Sequence, residues 1–256
     1  MRPHWRGTLL YPASLVALFL GLQGLLGLMR VPVAQQASLA AVPSVAALLI
    51  SLPWRLQRAW GEPQAWKRLG VRCRWGELIQ TLGRGVLLAA ALLLFIVVAL
   101  LLGGAQSELR LTPALLLNGV VLGLGVGFAE ELLFRGWLFG ELSLLLGHQR
   151  ALWLQAAIFS LVHTRFHLPG LELLLLLGGL ALFGVLLAEQ RDGDQGVLWG
   201  AVGLHGGAVG GWFLLSQGVL DLHSAGPTWL LSPDNPIGGV AGWIALVVLL
   251  LASRRS

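Results

Sequence analysis

Eight apolar runs separated by short polar breaks dominate this chain, at 9–29, 38–52, 79–102, 113–140, 151–168, 171–188, 197–217 and 238–252. A helix needs roughly 17–25 such residues to cross the hydrocarbon core of a bilayer, so all but 38–52 and 238–252 are long enough as they stand. With 56% hydrophobic residues and 11% charged, the chain has too little polar surface to coat a soluble globule. The expected fold is all-α, a polytopic transmembrane helical bundle of about eight spans. Thirty-five glycines do not oppose this, because bilayer helices use small residues to approach one another and keep their backbone bonds without competing water. A secretory signal is the rival reading of the first run, since Arg2 and Arg6 precede it and small residues follow. The run exceeds a usual signal core and is therefore taken as a span.

The net charge of +5 raises the possibility of nucleic-acid binding. The basic residues, however, gather near the ends of apolar runs and in one loop, as membrane anchors do, and no basic face remains for nucleic acid. That loop, between the second and third runs, holds Arg55, Arg58, Lys67, Arg68, Arg72 and Arg74, with Arg84 just inside the third run, against Glu62 and Glu77. The positive-inside rule puts it in the cytosol. An eight-span count then brings the N-terminus (Arg2, Arg6) and the C-terminus (Arg254, Arg255) to the same side, consistent with a multi-pass protein of a bacterial-type inner (plasma) membrane. Trp54, Trp60, Trp66 and Trp75 interleave the basic residues, which fits either an amphipathic surface segment or an ordinary aromatic belt. Cys73 is the single cysteine, so neither an intrachain disulfide nor a cysteine-built zinc cage is open to the chain. The expected organisation is an N-terminal helical part over 1–112 with the basic, tryptophan-containing segment at 53–78. A helical core over 113–217 follows, and 218–256 holds an extracytosolic loop and the last helix.

The fourth run contains Glu130, Glu131 and Arg135. A charge at the centre of a span costs roughly 2.5–3.5 kcal/mol on insertion scales, so three together need a reason. Arg135 follows Glu131 by one helical turn and can neutralise it. Glu130 lies about 100° around the helix, off the arginine face, and remains a carboxylate in low dielectric suited to general-base work. A buried Glu–Arg pair that only fixes helix packing is the bland alternative. The fifth run adds Phe159, Ser160 and His163 with His167 beyond, and the seventh adds His205 among glycines. Counted from the cytosolic ends of their runs, Glu130, His163 and His205 lie about 15, 18 and 12 Å deep. Three helices thus deliver acid and imidazole to similar depth. Gly119, Gly123 and Gly127, and Gly203, Gly207 and Gly211, recur every four residues and would let the fourth and seventh helices pack closely near them.

Taken in order, Glu130-Glu131-x-x-x-Arg135, Phe159-x-x-x-His163 and a later His205 in a glycine-rich span resemble the three motifs of the CPBP family, which includes CAAX prenyl proteases and bacteriocin-processing (Abi) proteins. The resemblance covers roughly 113–217. It implies an intramembrane endopeptidase in which Glu130 activates the attacking water, supported by Glu131 and Arg135, while His163 positions or polarises that water and His205 helps stabilise the oxyanion. Glu130, His163 and His205 could equally form a three-ligand zinc site with an open position, although no H-E-x-x-H spacing is present. The family commonly has an Asn one turn after the third-motif His, where this chain has Val209. Asn118 and Gln155 lie too far along their helices to replace it, which leaves Ser160 or a backbone N–H of the glycine-rich span. The implied partners are the lipid bilayer and a peptide or membrane-protein substrate, with no nucleic acid. Two other function classes compete: a catalytically silent scaffold or chaperone of the same family, favoured by Val209, and a small-solute transporter, which would predict repeated halves with paired broken helices.

Overall fold

The computed structural model describes residues 3–223 and 226–253. Arg2, Arg254 and Arg255, on which the matching of the two termini rests, lie outside the described residues. Two long helices, α1 (Trp5–Leu28) and α2 (Val33–Trp60), form the N-terminal hairpin. The chain continues through the single turn α3 (Ala65–Arg68) into α4 (Trp75–Leu102). A 34-residue helical stretch over 113–146 follows, made of α5 (Pro113–Glu131), a π-helical segment (Leu132–Leu138) and α6 (Phe139–Leu146). Then come α7 (His148–His163), α8 (Gly170–Gly193), α9 (Trp199–Gly218), the short α10 (Thr228–Leu231) and α11 (Val240–Ser253).

This is an all-helical membrane bundle, relieved by one two-stranded ladder. β1 (Gln106–Ser107) pairs antiparallel with β2 (Leu220–Asp221), Gln106 opposite Asp221, and joins the loops that follow α4 and α9. Among the described residues, five helical stretches are long and apolar enough to cross a membrane: 5–28, 33–60, 75–102, 113–146 and 170–193. The run at 38–52 proves to be the middle of a 28-residue helix, because the polar residues flanking it, Gln35, Gln36 and Arg55, are helical too. α11, with 14 residues, stays short. Leu87 and Leu94 on α4 are 71% and 65% exposed, a surface suited to lipid and hostile to water.

The fifth run is corrected. α7 ends at His163, five residues before the expected limit, where Thr164 turns extended and its hydroxyl bonds back to Ser160 O at 2.7 Å. Pro169 then biases the residue before it away from helix. His167 consequently sits in an exposed loop rather than one turn along the helix. The tryptophans also divide. Trp54 and Trp75 are exposed, at 57% and 73%, whereas Trp60 points inward to Glu141. The stretch 53–78 is therefore the end of α2, a turn and the start of α4, and no continuous amphipathic helix runs through it.

α9 lies between α4 and α5, and these are the two most extensive helix pairs of the fold. The glycine rows explain how, with a correction to the expected pairing. Gly119, Gly123 and Gly127 do face α9, but against Leu214, Gly206 and Gly210. Gly203, Gly207 and Gly211 face α4 instead, meeting Leu82, Ala89 and Leu93. A Cβ on Gly206 would stand 2.4 Å from Gly123 O, and one on Gly203 2.4 Å from Leu82 O. Main chain therefore touches main chain on both flanks of α9, so Gly206→Ala must push α5 away. It is expected to lower stability by about 1–3 kcal/mol, the usual cost of overpacking. Gly125→Ala, which meets nothing within 4 Å, should not; thermal unfolding of the two variants in detergent checks the difference.

Candidate active site

The polar core is assembled from α5, the π-helical segment, α7 and α9. Glu131 and Arg135 are fully buried and paired, Arg135 Nη1 donating to Glu131 Oε1 at 2.8 Å, as their one-turn spacing predicts. The arginine is held further by Gly184 O at 3.3 Å and lies over the Phe159 ring at 4.2 Å. Both halves of a buried ion pair need such partners, since the desolvation cost of each charge is several kcal/mol. His205 on α9 joins the same carboxylate, its Nδ1 standing 2.7 Å from Glu131 Oε1. Glu131 is thus a common acceptor for a guanidinium from its own strand of helix and an imidazole from another.

Glu130 turns the other way, as expected from its position around the helix. Its Oε2 lies 2.9 Å from His163 Nε2 and 3.7 Å from His205 Nε2. All five residues singled out in the sequence are therefore brought together: Glu130, Glu131, Arg135, His163 and His205. Glu130 and His163 keep 29% side-chain exposure, whereas Glu131, Arg135 and His205 are buried. The site has a sealed back and an accessible front.

Hydrogen-bond chemistry assigns the ring protons. Phe159 O stands 2.8 Å from His163 Nδ1, and a carbonyl only accepts, so Nδ1 carries a hydrogen. Glu131, paired with Arg135, plays the same part for His205 Nδ1. Each ring therefore turns its Nε2 toward Glu130, and the group on Nδ1 fixes the tautomer. Glu130 Oε2 is buried yet receives no aligned hydrogen bond, despite its short distance to His163 Nε2. Catalytic hydrogen bonds are often misaligned before substrate arrives.

The donor types would suit zinc, but the arrangement does not. Ligands at about 2.0–2.1 Å in a tetrahedron stand about 3.3 Å apart around the ion. Here the carboxylate and one imidazole meet directly at 2.9 Å while the second ring stands off at 3.7 Å. Among the described residues, no group of three or more His, Cys, Asp or Glu side chains is placed to hold a metal.

Two expectations about replacement donors change. Ser160 Oγ gives its proton to Leu177 O at 2.6 Å, so it is not free to donate to an oxyanion. α9 runs unbroken from Trp199 to Gly218, and amides inside a continuous helix are already bonded. Val209, half-buried on α9 one turn past His205, offers no donor. His205 Nε2 is then the nearest ring nitrogen, a donor only when the imidazole carries both protons. Cys73 takes no part: burial and the neighbouring Glu77 push its thiol up, away from the reactive thiolate.

A second buried carboxylate went unread in the sequence. Glu141 on α6 is fully buried and accepts from Thr8 Oγ1 at 2.8 Å, Trp60 Nε1 at 2.7 Å, Trp137 Nε1 at 2.9 Å and the Arg55 guanidinium. It binds α1 and α2 to the polar core. An ionisable residue ten positions after Glu131 in an apolar stretch was the available signal.

Comparison with known proteins adds one finding: residues 112–210 match the family model described as Type II CAAX prenyl endopeptidase Rce1-like. No curated protein and no solved structure is detectably similar to the chain. Glu130, Glu131, Arg135, His163 and His205 all fall inside the matched segment, so the core over 112–210 of this multi-pass membrane protein is similar to the Rce1-like type II CAAX prenyl endopeptidases.

Proposed function

We propose that the protein is an intramembrane endopeptidase of the CAAX-protease-like type, in which Glu130 activates a water for attack on a peptide bond of a membrane-associated peptide or protein. The observation that carries this reading is the meeting of an unsatisfied carboxylate oxygen with two Nε2 atoms from two other helices, at 2.9 and 3.7 Å. Glu130 Oε2 takes a proton from the water as its oxygen bonds to the peptide carbonyl carbon. The oxyanion so formed is stabilised by His205 in its imidazolium form, a charge that Glu131 supports through Nδ1. The Glu130–His163 pair holds the abstracted proton and returns it to the amide nitrogen as the C–N bond breaks. Arg135 holds Glu131 in place throughout. No metal enters these steps. The basic segment at 61–74 supports an orientation with that end of the bundle in the cytosol, in a bacterial-type inner membrane.

The test is cleavage of a membrane-peptide library by wild type, Glu130→Gln and His205→Ala in proteoliposomes, with and without chelator. Cleavage by wild type alone, unaffected by chelator, supports the reading. Chelator-sensitive cleavage would return the Glu130, His163 and His205 zinc site to first place. A second reading, a silent scaffold of the same family, is favoured by Val209 together with the committed Ser160 hydroxyl. It predicts no cleavage by wild type. Because removing one oxyanion donor costs about 10²–10³ in rate, Val209→Asn is expected to raise kcat by a measurable part of that factor, at little change in KM, if the protein is a slow protease. Turnover measured under substrate saturation checks this.

A further inference from the structure

Apart from the polar core, an open vestibule of about 1190 Å3 lies at the end of the bundle where α2 stops and α4 begins. The side chains of Lys67, Arg68, Arg72 and Arg74 line it, and none of the four forms an ion pair among the described residues. Its two carboxylates are engaged by backbone: Glu62 accepts from Gln64 N and Glu77 from Arg74 N, each at 3.0 Å. Arg191 also borders the cavity, but its guanidinium is spent on the carbonyls of Arg68, Arg135 and Gly196. These bonds, with Leu198 N to Gly70 O and Trp199 Nε1 to Val71 O, both at 2.9 Å, hold the basic loop against the turn between α8 and α9. The vestibule is therefore built, with its four cations left over.

We infer that this vestibule binds the headgroup of an anionic glycerophospholipid, its phosphate engaged by Arg72 and Arg74 with Lys67 and Arg68 beside them. Depth decides the occupant. Pro53, inside the long apolar helix α2, lines the cavity, so its floor reaches the level where hydrocarbon begins. Trp54 and Trp75, both exposed and next in sequence to the lining residues Pro53 and Arg74, mark the headgroup layer in which tryptophan prefers to sit. Guanidinium forks match phosphate oxygens in pairs. A lipid at that depth brings its phosphate to the cations while its acyl chains remain among the lipid-facing leucines of α4.

The test is calorimetric titration of the full chain, in an uncharged detergent, with dihexanoyl phosphatidylglycerol below its micellar concentration, dihexanoyl phosphatidylcholine and inorganic phosphate. Saturable binding of the glycerol lipid alone is expected. The double variant Arg72→Gln/Arg74→Gln should weaken it about 30-fold, at roughly fivefold per cation removed near a membrane surface. Arg110→Gln, whose charge pairs with Glu108 beside β1, should leave it unchanged. Because Arg72 and Arg74 are exposed and unpaired, the lipid-free unfolding temperature of the double variant should match wild type, which separates lost binding from lost fold. Equal binding of phosphatidylcholine, equal affinity for inorganic phosphate, or an unaffected double variant would each overturn the inference.

Discussion

Glu130→Gln is expected to reduce peptide-bond cleavage by about 10²–10⁴-fold, the range that a positioned general base contributes, while leaving the protein folded. The reason lies in the division of labour between adjacent carboxylates. Glu130 makes no hydrogen bond to Arg135, and its Oε2 receives no aligned donor, so an isosteric amide takes nothing from the packing. Glu131→Gln differs in kind: it keeps an acceptor oxygen but removes the negative charge that a buried guanidinium and an imidazole share. Breaking such a pair costs about 3–5 kcal/mol, so activity and stability should fall together there. Single-turnover cleavage and thermal unfolding, measured on both variants, separate the two roles. Equal instability in both would remove the distinction on which Glu130 as base depends.

Glu141→Ala should give the largest loss of stability, about 3–5 kcal/mol for the buried pair with Arg55 alone. Three further donors lose their acceptor at the same time: the Thr8 hydroxyl and the indoles of Trp60 and Trp137. Each buried donor left unsatisfied adds a cost of about 1–3 kcal/mol, in part relieved by relaxation. Since these donors come from α1, α2 and the π-helical segment, the variant should first loosen the N-terminal hairpin. Limited proteolysis in the turn joining α1 to α2, appearing before global unfolding, is the expected sign. Glu141→Gln keeps an acceptor for the indoles and should fall between the alanine variant and wild type.

The polar core was legible because ionisable residues in apolar helices carry a high cost and so stand out. Glu131 and Arg135 could be paired from spacing alone. His163 and His205 needed equal depth and the family motifs, and both now lie against Glu130. The unread parts share a cause: each depends on which neighbour a helix meets. Glu141 has donors more than 80 residues away in α2 and 133 away in α1, and nothing local announces them. The glycines of α9 form two overlapping rows, and periodicity does not say which row faces α4 and which α5. The end of α7 at His163 rests on a Thr164 side-chain bond and a following proline, against an apolar composition that continues to Leu168.

The π-helical segment has a bearing on how this protein tolerates change in length. Its seven residues, Leu132–Leu138, lie between Glu131, which pairs with Arg135 and His205, and Glu141, which secures the hairpin. Wider turns there set the rotational phase between the two carboxylates, so each meets its own set of partners on a different side of one continuous rod. A one-residue deletion within the segment would let the rod relax to ordinary helical winding and would still leave it long enough to cross a bilayer. Hydropathy would be blind to the loss, yet one of the two acids would be turned away from its partners. In this chain length and hydrophobicity are forgiving, and angular register is not.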